Sequence, residues 1–181
     1  MVAETPRIET ERLLLRRWDR GADLDPFAAM CADPEVMRYI ADGSTQTRAE
    51  CADRLEVFER VWRERSFGLF AVELNATGEM IGFTGLAIPD FLPEIMPAVE
   101  IGWRFARAHW GNGYATEAAR SVLEFAFDRV GLDRLVSVHA VGNEASANVM
   151  RKIGMRFERE TTHPGNGRGV RVYEIDRPAL S

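Results

Sequence analysis

The sequence has few of the features that mark secreted, membrane or thiolate-metal proteins. It contains two cysteines in 181 residues, Cys31 and Cys51, and no Cys-x-x-Cys pair. This pattern argues against a disulfide framework or a zinc site and favours buried free thiols. No run of about 18 apolar residues is long enough to span a membrane, and residues 1–10 show no basic-then-apolar leader. We therefore expect a cytoplasmic chain with no membrane partner.

An excess of positive charge is also lacking. The chain carries 23 Lys and Arg against 28 Asp and Glu, for a net charge of −5. This balance removes the electrostatic reason to expect a nucleic-acid partner, so any anionic ligand must be held by local geometry. The three histidines are isolated in sequence, without a His-x-x-x-His pair, and we expect no metal site.

What is present is typical of a globular protein. The sequence is 46% hydrophobic and 28% charged, with no internal repeat and no low-complexity tract. A chain of this length buries a sizeable core, so we expect one domain over residues 1–181.

Periodicity and end signals predict a mixed α/β sequence of elements. Thr47-x-x-Glu50 matches a capping box before a helix at 48–65, and two Asp-Pro pairs, at 25–26 and 33–34, predict helix starts. An apolar stripe predicts a helix from about 115 to Gly131. Strands are predicted at 12–18, 67–74, 80–87, 98–105, 134–140, 155–162 and 169–175. Short segments rich in Phe, Val, Ile and Leu on either side of a hairpin loop at 75–78 indicate the second and third of them, and alternation of apolar and polar residues indicates the fourth.

The strand at 98–105 (AVEIGWRF) has two different faces. Successive side chains of a strand point to opposite sides. Val99, Ile101, Trp103 and Phe105 share one face, and Glu100, Gly102 and Arg104 share the other. A carboxylate therefore points to the same side as a glycine.

The stretch HWGNGYATEA at 109–118 places two glycines where a helix begins. A helix N-terminus leaves about four N–H groups without partners and attracts anions, and glycine lets an anion reach that backbone. The alternative is a plain strand-to-helix turn. A Walker A loop is excluded because Gly113 is followed by Tyr114-Ala115, and a dinucleotide loop because Thr116 replaces its third glycine.

These residues resemble the GNAT acetyltransferases, specifically the branch of the ribosomal-protein N-terminal acetyltransferases. The resemblance covers most of the chain and lies in four stretches: TERL at 10–13, EIGW at 100–103, WGNGYATEA at 110–118 and NEASANVMRKIGM at 143–155. The broad family pattern Gln/Arg-x-x-Gly-x-Gly/Ala is met at Gly113 and Ala115, with Trp110 at its first position. The resemblance implies the GNAT fold, a mixed, mostly antiparallel central sheet with splayed fourth and fifth strands, flanked by helices.

The resemblance also implies acetyl-CoA as co-substrate and assigns residues to it. The pyrophosphate is expected on the loop amides, which belong to Gly111, Asn112, Gly113, Tyr114, Ala115 and Thr116. Arg107 lies beside the loop as a charge partner. The pantetheine arm is expected along the strand backbone of Ile101, Gly102, Trp103 and Arg104. Asn143 and Asn148 are further candidates for the arm and Lys152 for a phosphate; the alternatives are an N-cap for Asn143 and a solvated lysine.

Two proton transfers complete the implied reaction. An amine attacks the thioester while a backbone N–H of the fourth strand stabilises the oxyanion. Ser146 is the candidate general acid for the leaving thiolate, and an ordinary serine in the first helical turn is its alternative. Glu100 is the candidate general base acting through water, with a surface glutamate as its alternative. His163 either lines the acceptor cleft or lies on the surface.

The acceptor is predicted from pKa values and from the resemblance. At pH 7 an α-amine loses its proton at a cost about 3 kcal/mol lower than a lysine amine, so a weak base suffices. A protein N-terminal α-amine is the first choice, and aminoglycosides, polyamines and other small amines remain open. An acyl-CoA-binding sensor without turnover and a generic nucleotide-binding module are the other function classes. A homodimer is possible, and the oligomeric state is left open.

Overall fold

The computed structural model describes residues 6–179. Its strands are β1 (Ile8–Glu9), β2 (Leu13–Arg16), β3 (Leu69–Leu74), β4 (Met80–Ala87), β5 (Glu100–Phe105), β6 (Arg134–Ala140), β7 (Arg156–Thr162) and β8 (Gly169–Asp176). Its helices are α1 (Arg20–Ala32), α2 (Pro34–Met37), α3 (Arg48–Arg65), α4 (Tyr114–Glu124) and α5 (Glu144–Lys152). A π-helical turn, Phe125–Val130, continues α4. No helix in this described part is long and apolar enough to cross a membrane.

The strands form one sheet in the order β1-β2-β3-β4-β5-β6-β8-β7. All neighbouring pairs are antiparallel except β5 and β6, which are parallel and paired only at Glu100 and Val136. The Val136 N–H donates to the Val99 carbonyl at 3.0 Å, and the two strands separate beyond this point. The predicted mixed sheet with splayed strands is confirmed. The splayed strands are β5 and β6 because the short β1 precedes the strands that were predicted.

Helices cover both faces of the sheet and enclose separate cores. Helices α4 and α5 pack on one face over a core that includes Ile101, Val122 and Met150. Helices α1, α2 and the first half of α3 cover the other face over a second core, which contains Cys31 and Cys51. Both thiols are buried and free, as predicted.

End signals explain where most helices begin. Thr47 and Glu50 form the predicted capping box, so α3 begins at Arg48. The Asp33 carboxylate accepts from the Glu35 N–H at 2.9 Å and caps α2, also as predicted. The start predicted at Asp25-Pro26 is wrong. Asp19 caps the helix earlier, accepting from the N–H groups of residues 21 and 22, and Pro26 lies inside α1.

Candidate active site

The loop before α4 bends sharply at two glycines. Gly111 and Gly113 have φ values of +78° and +80°, a left-handed conformation that L side chains disfavour. The Trp110 indole N–H donates to the Phe105 carbonyl at 2.8 Å, and the Asn112 side-chain amide donates to the carbonyls of His109 and Trp110. These contacts fix the bend at the end of β5, where the next helix begins.

The bend leaves a row of backbone donors free. Gly113 is the N-cap of α4 and has no side chain to cap it. Within residues 6–179, none of the N–H groups at positions 111–116 has a hydrogen-bond acceptor. A Cβ built on Gly111 would meet no atom within 4 Å, so the space above the amides is open. Free donors at a helix N-terminus, without side chains above them, fit a pyrophosphate group.

The TERL segment holds this loop in place. The Thr10 hydroxyl donates to Glu117 Oε1 at 2.7 Å, and Arg12 Nε donates to Glu117 Oε2 at 2.7 Å. A second nitrogen of Arg12 donates to the Asn112 carbonyl at 2.9 Å. Burial raises the pKa of Glu117, but the hydrogen bonds from Thr10 and Arg12 outweigh it and lower that pKa. The motif therefore positions the loop, a role for Arg12 that the sequence did not show.

A cleft of about 610 Å³ opens where β5 and β6 separate. Two sides of the sheet contribute to it. Asn143, Ser146 and Met150 come from the α5 side, while Tyr39, Arg54 and Phe58 come from the α1–α3 side. His163 lies in the lining as well, with its ring stacked at 5.3 Å on that of Phe91. Of the two alternatives for His163, a cleft or the surface, the structure shows a half-buried ring in the lining of this cleft.

Glu100 lies at the point where the two strands part. The Val138 N–H donates to Glu100 Oε1 at 3.2 Å across the gap between β5 and β6. Burial raises the pKa of Glu100 to about 7, although the Val138 hydrogen bond acts in the opposite direction. A carboxyl group with this pKa changes between acid and base near neutral pH, which is the requirement for a general base there.

Strand β6 adds two polar side chains that sequence reasoning did not select. The Ser137 hydroxyl donates to the Ile101 carbonyl at 2.8 Å and joins the splayed strands. His139 Nδ1 donates to the Ala140 carbonyl at 2.9 Å, because a carbonyl can only accept. Its Nε2 is buried and has no partner among residues 6–179, and burial lowers the pKa of the ring. The alternation of Ser137 and His139 with Val136 and Val138 was the available signal.

Similarity to known proteins agrees with this geometry. Residues 12–156 match the family model described as acetyltransferase (GNAT) domain. YkkB from Bacillus subtilis is 33% identical over 174 residues, covering 93% of this chain and 94% of YkkB. The chain belongs to the GNAT acetyltransferase family. It is therefore an N-acetyltransferase, and the family uses acetyl-CoA as co-substrate.

Solved structures share the GNAT fold along nearly the whole chain. The acetyltransferase from Agrobacterium tumefaciens superposes with a TM-score of 0.81 at 25% identity, covering 98% of both chains. RimL, a ribosomal L7/L12 α-N-protein acetyltransferase in complex with coenzyme A, superposes with a TM-score of 0.77 at 15% identity. That match covers 94% of this chain and 98% of RimL. At this identity the likeness to RimL concerns the fold alone.

The structure of this GNAT enzyme brings some predicted site residues together. Glu100, Gly102, Trp103, Arg104, Asn143 and Ser146 all line the cleft, and Ile101 lies fully buried beneath it. Asn143 Oδ1 accepts from the Ser146 N–H at 3.3 Å, so Asn143 is an N-cap and a cleft residue at once. The roles assigned to these residues stay predictions.

Other predicted residues lie outside the cleft. Arg107 Nε is 3.1 Å from Asp33 Oδ2, in an ion pair at the other end of the loop. Asn148 is exposed and its side-chain oxygen accepts from Arg151. Lys152 is exposed near the end of α5. The geometry does not point to coenzyme contact for any of these three residues. Contact of the coenzyme with Arg107, Asn148 and Lys152 therefore stays a prediction.

Proposed function

We propose that the chain is a single-domain enzyme that transfers the acetyl group of acetyl-CoA to the α-amine of a protein N-terminus, by direct attack in a ternary complex. The observation that carries this choice is Glu100, whose pKa is raised to about 7 by burial. An α-amine has a pKa of about 7.7–8.0, close to that of this base, whereas a lysine amine has one of about 10.4. Proton transfer to Glu100 is thus much less costly from an α-amine.

The residues present supply the remaining functions. The free amides at 111–116 would hold the pyrophosphate, and the β5 backbone at Ile101, Gly102 and Trp103 would align the pantetheine arm. When bound, acetyl-CoA supplies an acetyl group activated as a thioester. The C–N bond forms and the C–S bond breaks, Glu100 accepts the amine proton through water, and Ser146 donates a proton to the leaving sulfur. Ser146 regains a proton from water and Glu100 releases one to water, so that the amine proton is in effect transferred to the thiol.

RimL, whose fold this chain shares, is named for the same acceptor class. That protein is an α-N-protein acetyltransferase, and its fold superposes on this one with a TM-score of 0.77. The loop at 163–168 and the segment around Tyr39 border the same cleft. Hydrogen bonds join the two segments, since the Asn166 side-chain amide and the Arg168 guanidinium both donate to the Ala41 carbonyl, at 2.9 and 3.1 Å.

The test is release of free coenzyme A from acetyl-CoA with different acceptors. We expect peptides with a free N-terminus to give turnover, and the same peptides with a blocked N-terminus and an internal lysine to give almost none. Turnover with spermidine or an aminoglycoside but with no peptide would contradict the proposal. Ser146→Ala should lose rate while keeping coenzyme A affinity. Binding of acetyl-CoA without turnover on any amine would instead identify an acyl-CoA sensor.

A further inference from the structure

Arg104 carries a positive charge into the cleft wall without an acidic partner. Its side chain leaves β5 on the same face as Glu100 and lies over the Phe83 ring, with the guanidinium carbon 5.1 Å from the ring centroid. One terminal nitrogen is 3.4 Å from the Cys31 sulfur, a weak acceptor. Its Nε is buried and has no hydrogen-bond partner among the residues described.

A second arginine increases the unbalanced charge. Arg54 of α3 lines the same cleft, and its charge, together with the larger effect of burial, lowers the pKa of Arg104. Within residues 6–179 no carboxylate forms an ion pair with Arg54 or Arg104. Glu50, one turn before Arg54, is hydrogen-bonded to Thr47, and the Arg54 charge also helps to lower the Glu50 pKa without forming an ion pair.

Neither Cys51 nor Glu100 balances this charge. Burial raises the pKa of Cys51 to about 12, so that thiol is neutral at physiological pH. Glu100 is held by the Val138 amide. It lies four residues before Arg104, and at about 3.3 Å per residue their Cα atoms are roughly 13 Å apart. Arg54 is exposed to solvent, whereas the Arg104 guanidinium is partly withdrawn from it, so the Arg104 charge is the one that an anion would stabilise most.

We infer that Arg104, with Arg54 beside it, binds a carboxylate of the acceptor, so that the preferred substrates are protein N-termini with Asp or Glu near the reacting amine. The inference rests on the proposed function. With the amine at Glu100 and an extended peptide rising about 3.3 Å per residue, the acidic side chain falls within the second to fourth residue. The planar guanidinium forms paired hydrogen bonds with a carboxylate, and the Phe83 ring limits its rotation.

The test compares peptides that differ only by Asp or Asn at residue two, three or four. A hydrogen bond between charged groups predicts that one Asp peptide has a kcat/KM at least about tenfold above that of its Asn partner, with most of the difference in KM. Equal values for every Asp and Asn pair would overturn the inference and leave the proposed function intact. Failure of all peptides to react would instead overturn the proposed function itself.

Variants locate the effect in the cleft. Arg104→Gln should bring the Asp/Asn ratio close to one, and Arg104→Lys should retain part of it, since the charge stays but the paired geometry is lost. Arg63→Gln removes an exposed α3 charge outside the cleft and should leave the ratio unchanged.

Coenzyme A affinity and melting temperature report whether each variant folds. If Arg104→Gln is unstable, Arg54→Gln replaces it and should also reduce the ratio; an unchanged ratio in a folded Arg104→Gln protein contradicts the inference.

Discussion

Glu100 places a carboxyl group where few groups solvate its charge. The Val138 N–H is its donor at 3.2 Å, and burial raises its pKa from the ordinary 4.5 to about 7. We expect kcat to fall as pH drops through about 7, because the protonated acid cannot accept the amine proton. Glu100→Gln should lower kcat about 100-fold and remove the step near pH 7 from single-turnover rates, leaving the fall that comes from protonation of the acceptor amine, whose pKa is about 7.7–8.0. A variant that keeps the rate and the pH profile would show that another group is the base.

The same residue links activity to stability. Because the pKa of Glu100 is higher in the folded chain than in the unfolded chain, the native state binds more protons between about pH 4.5 and 7. Stability from this group is therefore present at low pH and is lost as pH rises through about 7. Glu100→Gln keeps an acceptor for Val138 and carries no charge, so it should raise the melting temperature at pH 8 and change it little at pH 4.5. Calorimetry at the two pH values measures this difference.

Sequence patterns identify the backbone position of a side chain better than its environment. Alternation along β5 correctly placed Glu100 on the same face of the strand as Gly102. The location of Glu100 at the cleft followed from the resemblance. The orphaned nitrogen of His139 and the unpaired charge of Arg104 could not be predicted in this way. Both depend on which neighbours come from distant segments, such as Cys31 beside Arg104.

Among the elements, α4 begins with a glycine in a left-handed conformation at the bend where we propose that coenzyme A binds. Gly113 and Gly131 stand at opposite ends of α4 and its π-helical continuation, with φ values of +80° and +81°. Alanine at either position should cost about 1–2 kcal/mol of stability, because an L side chain disfavours this conformation. Gly113→Ala should in addition weaken coenzyme A binding, since relaxing the bend redirects the free amides, whereas Gly131→Ala should not.

Calorimetric titration with coenzyme A and urea unfolding separate the two effects. Gly113→Glu adds a carboxylate beside the amides and should weaken binding more than Gly113→Ala. Equal affinities of the Gly113→Ala, Gly131→Ala and unchanged proteins would contradict a pyrophosphate cradle at 111–116.

End signals alone did not decide which elements were predicted to the residue. The capping box gave the correct start of α3, and the predicted bounds of β4 and β6 match the structure at both ends although neither strand has such a signal. Strand β1 has two residues, too few to show a period. The start of α1 was misplaced because proline is tolerated inside this helix; Ala22, whose carbonyl loses its partner to Pro26, is exposed and open to solvent.

At the scale of the whole molecule, a partly buried ion network joins α1 to the sheet. Arg16 on β2 donates to both oxygens of Asp23 on α1, at 2.8 and 2.9 Å, and to Glu73 on β3 at 2.8 Å. Asp23 is 1% exposed and also accepts from the Asp19 N–H at 2.7 Å. The network lies on the α1 side, whereas the amides at 111–116 begin α4 on the other face. Global stability and coenzyme binding should therefore respond separately.

Asp23→Ala tests this separation. Removing one partner leaves Arg16 short of an acceptor and the Asp19 amide unpaired, so the free energy of unfolding should fall by about 3 kcal/mol or more. Asp25→Ala is the matched control on the same helix, because the Asp25 carboxylate is 76% exposed in its pair with Arg48 and should contribute less than about 1 kcal/mol. Urea unfolding measures both variants. Coenzyme A affinity of the folded Asp23→Ala protein should match that of the unchanged chain, and a parallel loss of affinity would show that the two faces of the sheet are coupled.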